Sequence, residues 1–343
     1  MQSLAVRYRP TEFNEVLGDS QAIVCKILQK QIEKGEYKNC YLFAGETGSG
    51  KTSIARIFAN KINKGIGAPI EIDGAVNNGV DSVRAIVDSA NQRSLTGEYK
   101  IFIIDEAHAI TTAGWQAFLK GIEEPPLYTI FIFCTTEPNK IPGTVLNRLQ
   151  RYNIAKVSQD TIKQRLLYIC QQEGFTNYEA TCDLISRATH GCMRDSITYL
   201  EQCASYSTDL SLNIVGCLLE GLSTKPMFAL TWALQDKNEG QVIAIIDQLF
   251  GKGVDLRNFI NTYLELALDL IKFKLFNDIN ITNIPENLAT DNNPVVQQTL
   301  NIENCLEWLN ALVETLLDIK LAIRYDTSYK STIIAYLIKF CRG

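Results

Sequence analysis

Apolar positions change character partway along the chain. Across residues 38–151 short continuous apolar runs, at 40–44, 101–104 and 130–134, alternate with stretches of helical pattern. The runs are rich in Ile and Phe and lack polar alternation, as expected of strands covered on both faces. After Lys51, residues Ile54, Ile57, Phe58 and Ile62 fall on one helical face. Strands separated by helices predict a parallel, doubly wound sheet, so an α/β domain is expected over residues 1–157.

Past Val157 the strand signals stop. Ser158 is placed to cap a helix ending near Gly174, with further helices over about 178–189 and 193–206, which together predict a small helical domain at 158–210. From Leu212 helical patterning continues through the last residues, broken by an Asn- and Pro-rich stretch at 277–294 that reads as a loop. Ile302, Leu306, Leu309, Leu312, Leu316, Ile319 and Ile323 recur at helical spacing and predict a long amphipathic helix in an all-α domain, 211–343. Its stripe faces either that domain's own core or a neighbouring subunit. No internal repeat is visible.

Composition narrows the class. The chain has 343 residues, 46% hydrophobic and 21% charged, enough for two or three globular domains. No apolar run approaches the roughly 18–20 residues of a membrane span, and the first ten residues lack the apolar core of a secretion signal, so a cytoplasmic protein with no membrane partner is expected. The ten cysteines stand singly, without a C-x-x-C pair, and are expected to be reduced buried thiols rather than a zinc or disulfide framework. A formal charge of -5 argues against non-specific coating of nucleic acid but leaves room for one locally basic face.

The sharpest chemical signal is Gly45-Glu46-Thr47-Gly48-Ser49-Gly50-Lys51-Thr52, followed by Ser53. It matches G-x-x-x-x-G-K-[ST] and lies between a predicted buried strand and an amphipathic helix. Glycines let the backbone curl around phosphates with its N–H groups inward, at a helix N-terminus that favours anions. Lys51 is expected on the β- and γ-phosphates of ATP, and the Thr52 hydroxyl on Mg²⁺. A second strand, 101–104, delivers Asp105 and Glu106 at its carboxyl end, where doubly wound sheets bind ligands. Asp105 is expected to hold the metal and Glu106 to orient or deprotonate the attacking water. His108 completes an Asp-Glu-Ala-His string that also occurs in helicases, but those need a second motor domain and this chain has one P-loop, so His108 reads as structural.

These residues resemble the AAA+ clamp-loader ATPases: the gamma/tau subunits of bacterial loaders, the small subunits of replication factor C and the large loader subunits of phages. The likeness covers about the first 200 residues. Val6-Arg7-Tyr8-Arg9-Pro10 with Phe13 and Val16-Leu17-Gly18 is similar to the family's N-terminal segment. It implies an adenine pocket lined by Tyr8, Arg9, Pro10, Val16 and Leu17. Glu123-Glu124-Pro125-Pro126 is similar to the stretch preceding the family's sensor strand. By the same resemblance Thr136 takes the first sensor position, with Thr135 an adjacent rival. Arg148, in Leu146-Asn147-Arg148-Leu149, is the finger offered to a neighbouring subunit's ATP, although Asn147 and Leu149 stand where the family has Ser and Cys. Arg194, in Gly191-Cys192-Met193-Arg194-Asp195, is the second sensor, reaching the γ-phosphate. Arg84 lies where the family presents a helix to DNA; contact with phosphate, restraint of Glu106 and a plain solvated charge all remain open.

The resemblance therefore implies a Rossmann-like ATPase domain, a helical lid and a helical collar, with ATP and Mg²⁺ at interfaces between sister subunits in a ring or spiral that includes a small loader subunit. Its partners are a sliding clamp and the backbone of primer-template DNA. The interval 64–72 has no cysteine and is too short for the zinc module of bacterial gamma/tau, so no zinc is expected, and neither is the long C-terminal extension of tau. Both features fit a phage source. The alternatives are another AAA+ DNA-processing ATPase (helicase loader, initiator or branch-migration motor), a P-loop small-molecule kinase, and a catalytically silent loader subunit.

Overall fold

The computed structural model describes residues 2–216, 218–219, 224–278, 282, 284 and 295–343. The chain divides into two compact units, one of residues 1–175 and 189–202, the other of 176–188 and 203–343. Most of the loop expected at 277–294 lies outside the described residues.

In the first unit the chain runs α1 (Asp19–Lys34), β1 (Cys40–Gly45), α2 (Lys51–Ile62), β2 (Ile70–Asp73), α3 (Val80–Ala90), β3 (Lys100–Asp105), α4 (Thr112–Glu123), β4 (Thr129–Thr135), β5 (Gln150–Ile154) and α5 (Gln159–Glu173). The five strands form one sheet in the order β2-β3-β4-β1-β5, every pairing parallel. This is the α/β class the pattern predicts. Successive side chains of a strand point to opposite faces, and both faces here are covered. Tyr41, Phe43, Ile101, Ile103, Ile130 and Ile132 pack with Leu28 of α1 and Ile54, Ile57 and Phe58 of α2. Leu42, Phe102, Ile104, Phe131 and Phe133 pack with Val83 of α3 and Trp115, Phe118 and Ile122 of α4. A strand buried twice over has no place for polar alternation, hence the continuous apolar runs.

The strand order fixes where chemistry can occur. β4 lies between β1 and β3, so the chain leaves all three at the same carboxyl edge of the sheet, which is where ligands bind open parallel sheets. The helix predicted after Ser158 is α5: the Ser158 hydroxyl accepts from the Thr161 N–H, and Gly174 ends the helix in the left-handed region.

The second unit contains the helix α6 (Glu179–Ala188). The helix α7 (Met193–Tyr206) belongs to the first unit through residue 202. Beyond the short helix Leu212–Val215 come α8 (Lys225–Gln235), α9 (Glu239–Gly251), α10 (Leu256–Phe276), α11 (Val295–Leu300), α12 (Cys305–Ala322) and α13 (Tyr329–Arg342). Their core includes Leu309, Leu312, Leu316 and Ile319 of α12 against residues of α8 to α10 and α13, so this part of the stripe is intradomain core. The described residues beyond 211 contain no strand. No helix among the described residues is long and apolar enough to cross a membrane. Of the described cysteines, all but Cys192 are buried.

Phe118 sits at the centre of an aromatic cluster, with ring centroids 5.8 Å from Trp115, 5.9 Å from Phe131 and 5.5 Å from Phe133. Phe118→Ala is expected to cost about 3–5 kcal/mol, transfer and cavity terms together, read as a lowered denaturant midpoint.

Candidate functional site

The P-loop turns sharply between β1 and α2, and its glycines make the turn possible. Gly48 and Gly50 have φ of 72° and 98°, and Gly50 caps the N-terminus of α2. At Gly45 a Cβ would lie 2.2 Å from the Ile154 carbonyl oxygen, and at Gly48 it would lie 2.2 Å from the Cys192 Sγ. The loop is thus held between β5 and the start of α7 with no space for a larger residue. Gln21, buried on α1, holds it from behind by donating to the carbonyls of Ser49 (3.0 Å) and Ala155 (2.8 Å).

Lys51 is 6% exposed, and its ammonium donates to the carbonyls of Gly45 (2.9 Å) and Glu46 (2.8 Å). Burial lowers its pKa, while the nearby Asp105 and Glu106 charges work in the opposite direction. The Thr52 hydroxyl donates to Asp105 Oδ2 at 2.8 Å. A hydroxyl and a carboxylate in contact at a helix N-terminus are oxygen donors suited to Mg²⁺, which takes few protein ligands and shares the rest with phosphate and water. The buried Ser49 Oγ has no hydrogen-bond partner within the protein. Together with the tight glycine cradle and the buried ammonium, it fits a phosphate chain with its metal.

Glu106 follows at φ 47° and ψ 41°, a left-handed conformation unusual for a residue with a side chain. Its carboxylate and that of Asp105 line one wall of a cavity of about 210 Å³. Thr47 through Ser53 line it too, as do Tyr8, Arg9, Pro10, Val16 and Leu17 from the N-terminal segment and Arg194 from α7. Ala5, Val157, Met193 and Ile197 add apolar lining suited to a flat ring, and the P-loop is suited to an anion.

Arg165 of α5 also lines the cavity, and the motifs did not reveal it. It donates to the Tyr8 carbonyl at 2.8 Å and lies over the Tyr8 and Tyr168 rings, 5.7 and 5.3 Å from their centroids. The Tyr8 hydroxyl in turn donates to Glu173. Burial, with that bond second, pushes the Tyr8 phenol up to about 12. The only sequence signal for Arg165 is a charge inside the apolar ridge of Ile162, Leu166 and Ile169.

Three further residues named by the resemblance stand outside the cavity. Thr136 is half-buried just past β4; its neighbour Thr135 is fully buried and bonded to His108 and to the Glu137 N–H. Arg148 is exposed, paired with Glu123 at 2.8 Å, and its neighbour Leu149 packs into the α3 and α4 layer. Arg84 is exposed on α3, 3.5 Å from Asp81. Gly45 and Glu46 serve through their carbonyls rather than by lining the cavity.

Fold and site define a P-loop protein of the AAA+ class. A sequence family described as "DNA polymerase III, delta subunit" matches residues 69–158. The chain is 33% identical over 296 residues to DNA polymerase III subunit tau of Bacillus subtilis, covering 80% of this chain and 52% of that one. It is 29% identical over 276 residues to the tau subunit of Escherichia coli, covering 74% and 43%. Among solved structures, the Thermotoga maritima RuvB Holliday junction branch migration motor is similar with a TM-score of 0.53 and 18% identity, over 66% of this chain and 79% of that one, a likeness of fold alone. The chain is thus similar, over most of its own length, to subunits of the DNA polymerase III gamma/tau kind. It spans about half the length of the curated relatives it matches.

Gly48→Ala is expected to weaken nucleotide binding by adding both a clash and backbone strain. Combining it with Cys192→Ala should recover the clash alone and leave a deficit of about 1–2 kcal/mol from the left-handed backbone. Titration with a fluorescent ATP analogue measures both.

Proposed function

We propose that this chain is an ATPase subunit of a sliding-clamp loader in DNA replication, hydrolysing ATP to ADP and phosphate at interfaces between sister subunits and coupling it to placing a clamp on primer-template DNA. The observation that carries the reading is the Thr52–Asp105 contact beside the buried Lys51, in a chain one-third identical to a DNA polymerase III tau subunit. When bound, Mg²⁺ supplies charge neutralisation on the phosphates, with Thr52 and Asp105 as its protein ligands. Lys51 and the loop N–H groups bind the β- and γ-phosphates. Glu106 orients and deprotonates the attacking water. Arg194, already at the cavity wall, acts as the second sensor. Thr136 acts as the first, since the Thr135 hydroxyl is committed inward.

Arg148 lies outside its own chain's cavity and is exposed, which supports a finger acting on the ATP of the next subunit. Residues 158–210 serve as the lid and 211–343 as the collar that assembles the ring with a small loader subunit. Arg84 and the backbone of primer-template DNA form a salt-dependent contact indifferent to base sequence.

The decisive assay measures ATP turnover of the full chain with its loader partners, adding primer-template DNA and a candidate clamp separately and together. DNA and clamp are expected to act synergistically. Lys51→Ala should abolish nucleotide binding. Arg148→Ala should leave binding intact yet lower turnover by roughly 10³-fold or more, the contribution of an arginine finger. Stimulation by DNA with no response to any clamp would favour a different AAA+ DNA motor, and full turnover by an Arg148→Ala monomer would remove the shared-site reading.

A further inference from the structure

His108 is the residue of the acidic motif that the proposed chemistry leaves unused. It sits in a single helical turn, Ala107–Ala109, directly after the left-handed Glu106, and its side chain is 17% exposed. The ring meets three groups. Nδ1 lies 3.3 Å from Glu106 Oε2 and 3.2 Å from Thr135 Oγ1, and Nε2 lies 3.6 Å from Glu137 Oε1. The first two are within or near hydrogen-bond reach, while the third is a charge neighbour only.

Thr135 is the last residue of β4 and fully buried. Its hydroxyl oxygen accepts the Glu137 N–H at 3.1 Å, which leaves its own hydrogen for another acceptor. Nδ1 therefore has two uses. Carrying a proton, it donates to the Glu106 carboxylate, an anionic acceptor and the stronger partner. Lacking one, it accepts from Thr135 and turns a lone pair toward that carboxylate. Either way the imidazole sets which directions the carboxylate occupies. Glu106 needs such support, because a non-glycine residue in the left-handed region costs about 1–3 kcal/mol and persists only where its surroundings hold it.

We propose that His108 is a positioning residue for Glu106, tying the direction of its carboxylate to the end of β4 through Thr135. The strand end that carries Thr136 is then mechanically joined to the base: Thr135 to the ring, the ring to Glu106. The inference rests on the reading of Glu106 as the group that acts on the attacking water.

The test is ATP turnover by the full chain in its assembled, DNA- and clamp-stimulated form, alongside binding of a fluorescent ATP analogue. His108→Ala is expected to lower kcat about tenfold or more, a fraction of the roughly 10²–10⁴ that a positioned base supplies, with KM and nucleotide affinity unchanged. His108→Asn places an amide donor where Nδ1 stood and should recover most of the rate, whereas His108→Gln, reaching toward the Nε2 position, should not. Thr135→Val added to His108→Ala should cost little more than His108→Ala alone, since the two act as one unit. A kcat for His108→Ala within twofold of the wild type overturns the inference, as do equal rates for the Asn and Gln variants. If the Ala variant fails to fold, the Asn and Gln pair carries the comparison. Glu106→Gln separates the two layers: full turnover in that variant removes the base reading itself, while an inactive Glu106→Gln beside a fully active His108→Ala removes only the role given to His108.

Discussion

The Thr52 hydroxyl and the Asp105 carboxylate, 53 residues apart in the chain, meet at 2.8 Å, and the other parts of the site take their places around that contact. It requires α2 to begin and β3 to end at one point in space. That in turn requires the sheet order in which β4 separates β1 from β3, and the two apolar layers that hold the sheet against its helices. The core's role is therefore geometric: it sets the distance between the Thr52 hydroxyl and the Asp105 carboxylate.

Around this contact the protein gathers polar groups, of which Ser49 and Lys51 are buried. A buried ammonium is costly unless it is hydrogen-bonded, and Lys51 meets that need with two main-chain oxygens of its own loop. The same carbonyls hold the amine against the P-loop. Gln21 and the narrow gaps at Gly45 and Gly48 give the loop little freedom, so the site is preorganised rather than assembled by the ligand.

How legible this was depended on burial. β1, β3 and β4 could be read because they are buried on both faces. β2 and β5 escaped notice because Ile70–Asp73 is mostly exposed and Gln150–Ile154 alternates polar and apolar. Their place in the sheet comes from backbone pairing with neighbours, which a single sequence does not display. Helix ends announced themselves where a cap was chemically necessary, at Ser158 and Gly174. The phosphate end of the site was readable because its glycines are forced by backbone geometry. Arg165, Met193, Ile197 and Gln21 were not, since each reaches the site from an ordinary helical position and only the tertiary fold turns it inward.

The way the chain is divided between its two units has a consequence for how the protein can be taken apart or inherited. It passes from one unit to the other at three places, 175/176, 188/189 and 202/203. No single cut by a protease, and no single genetic crossover, yields either unit entire, because each keeps a segment that lies in sequence beyond a piece of its companion. The unit that carries the P-loop, with Arg194 on its one returning segment, can be shuffled among proteins only together with the helix that interrupts it.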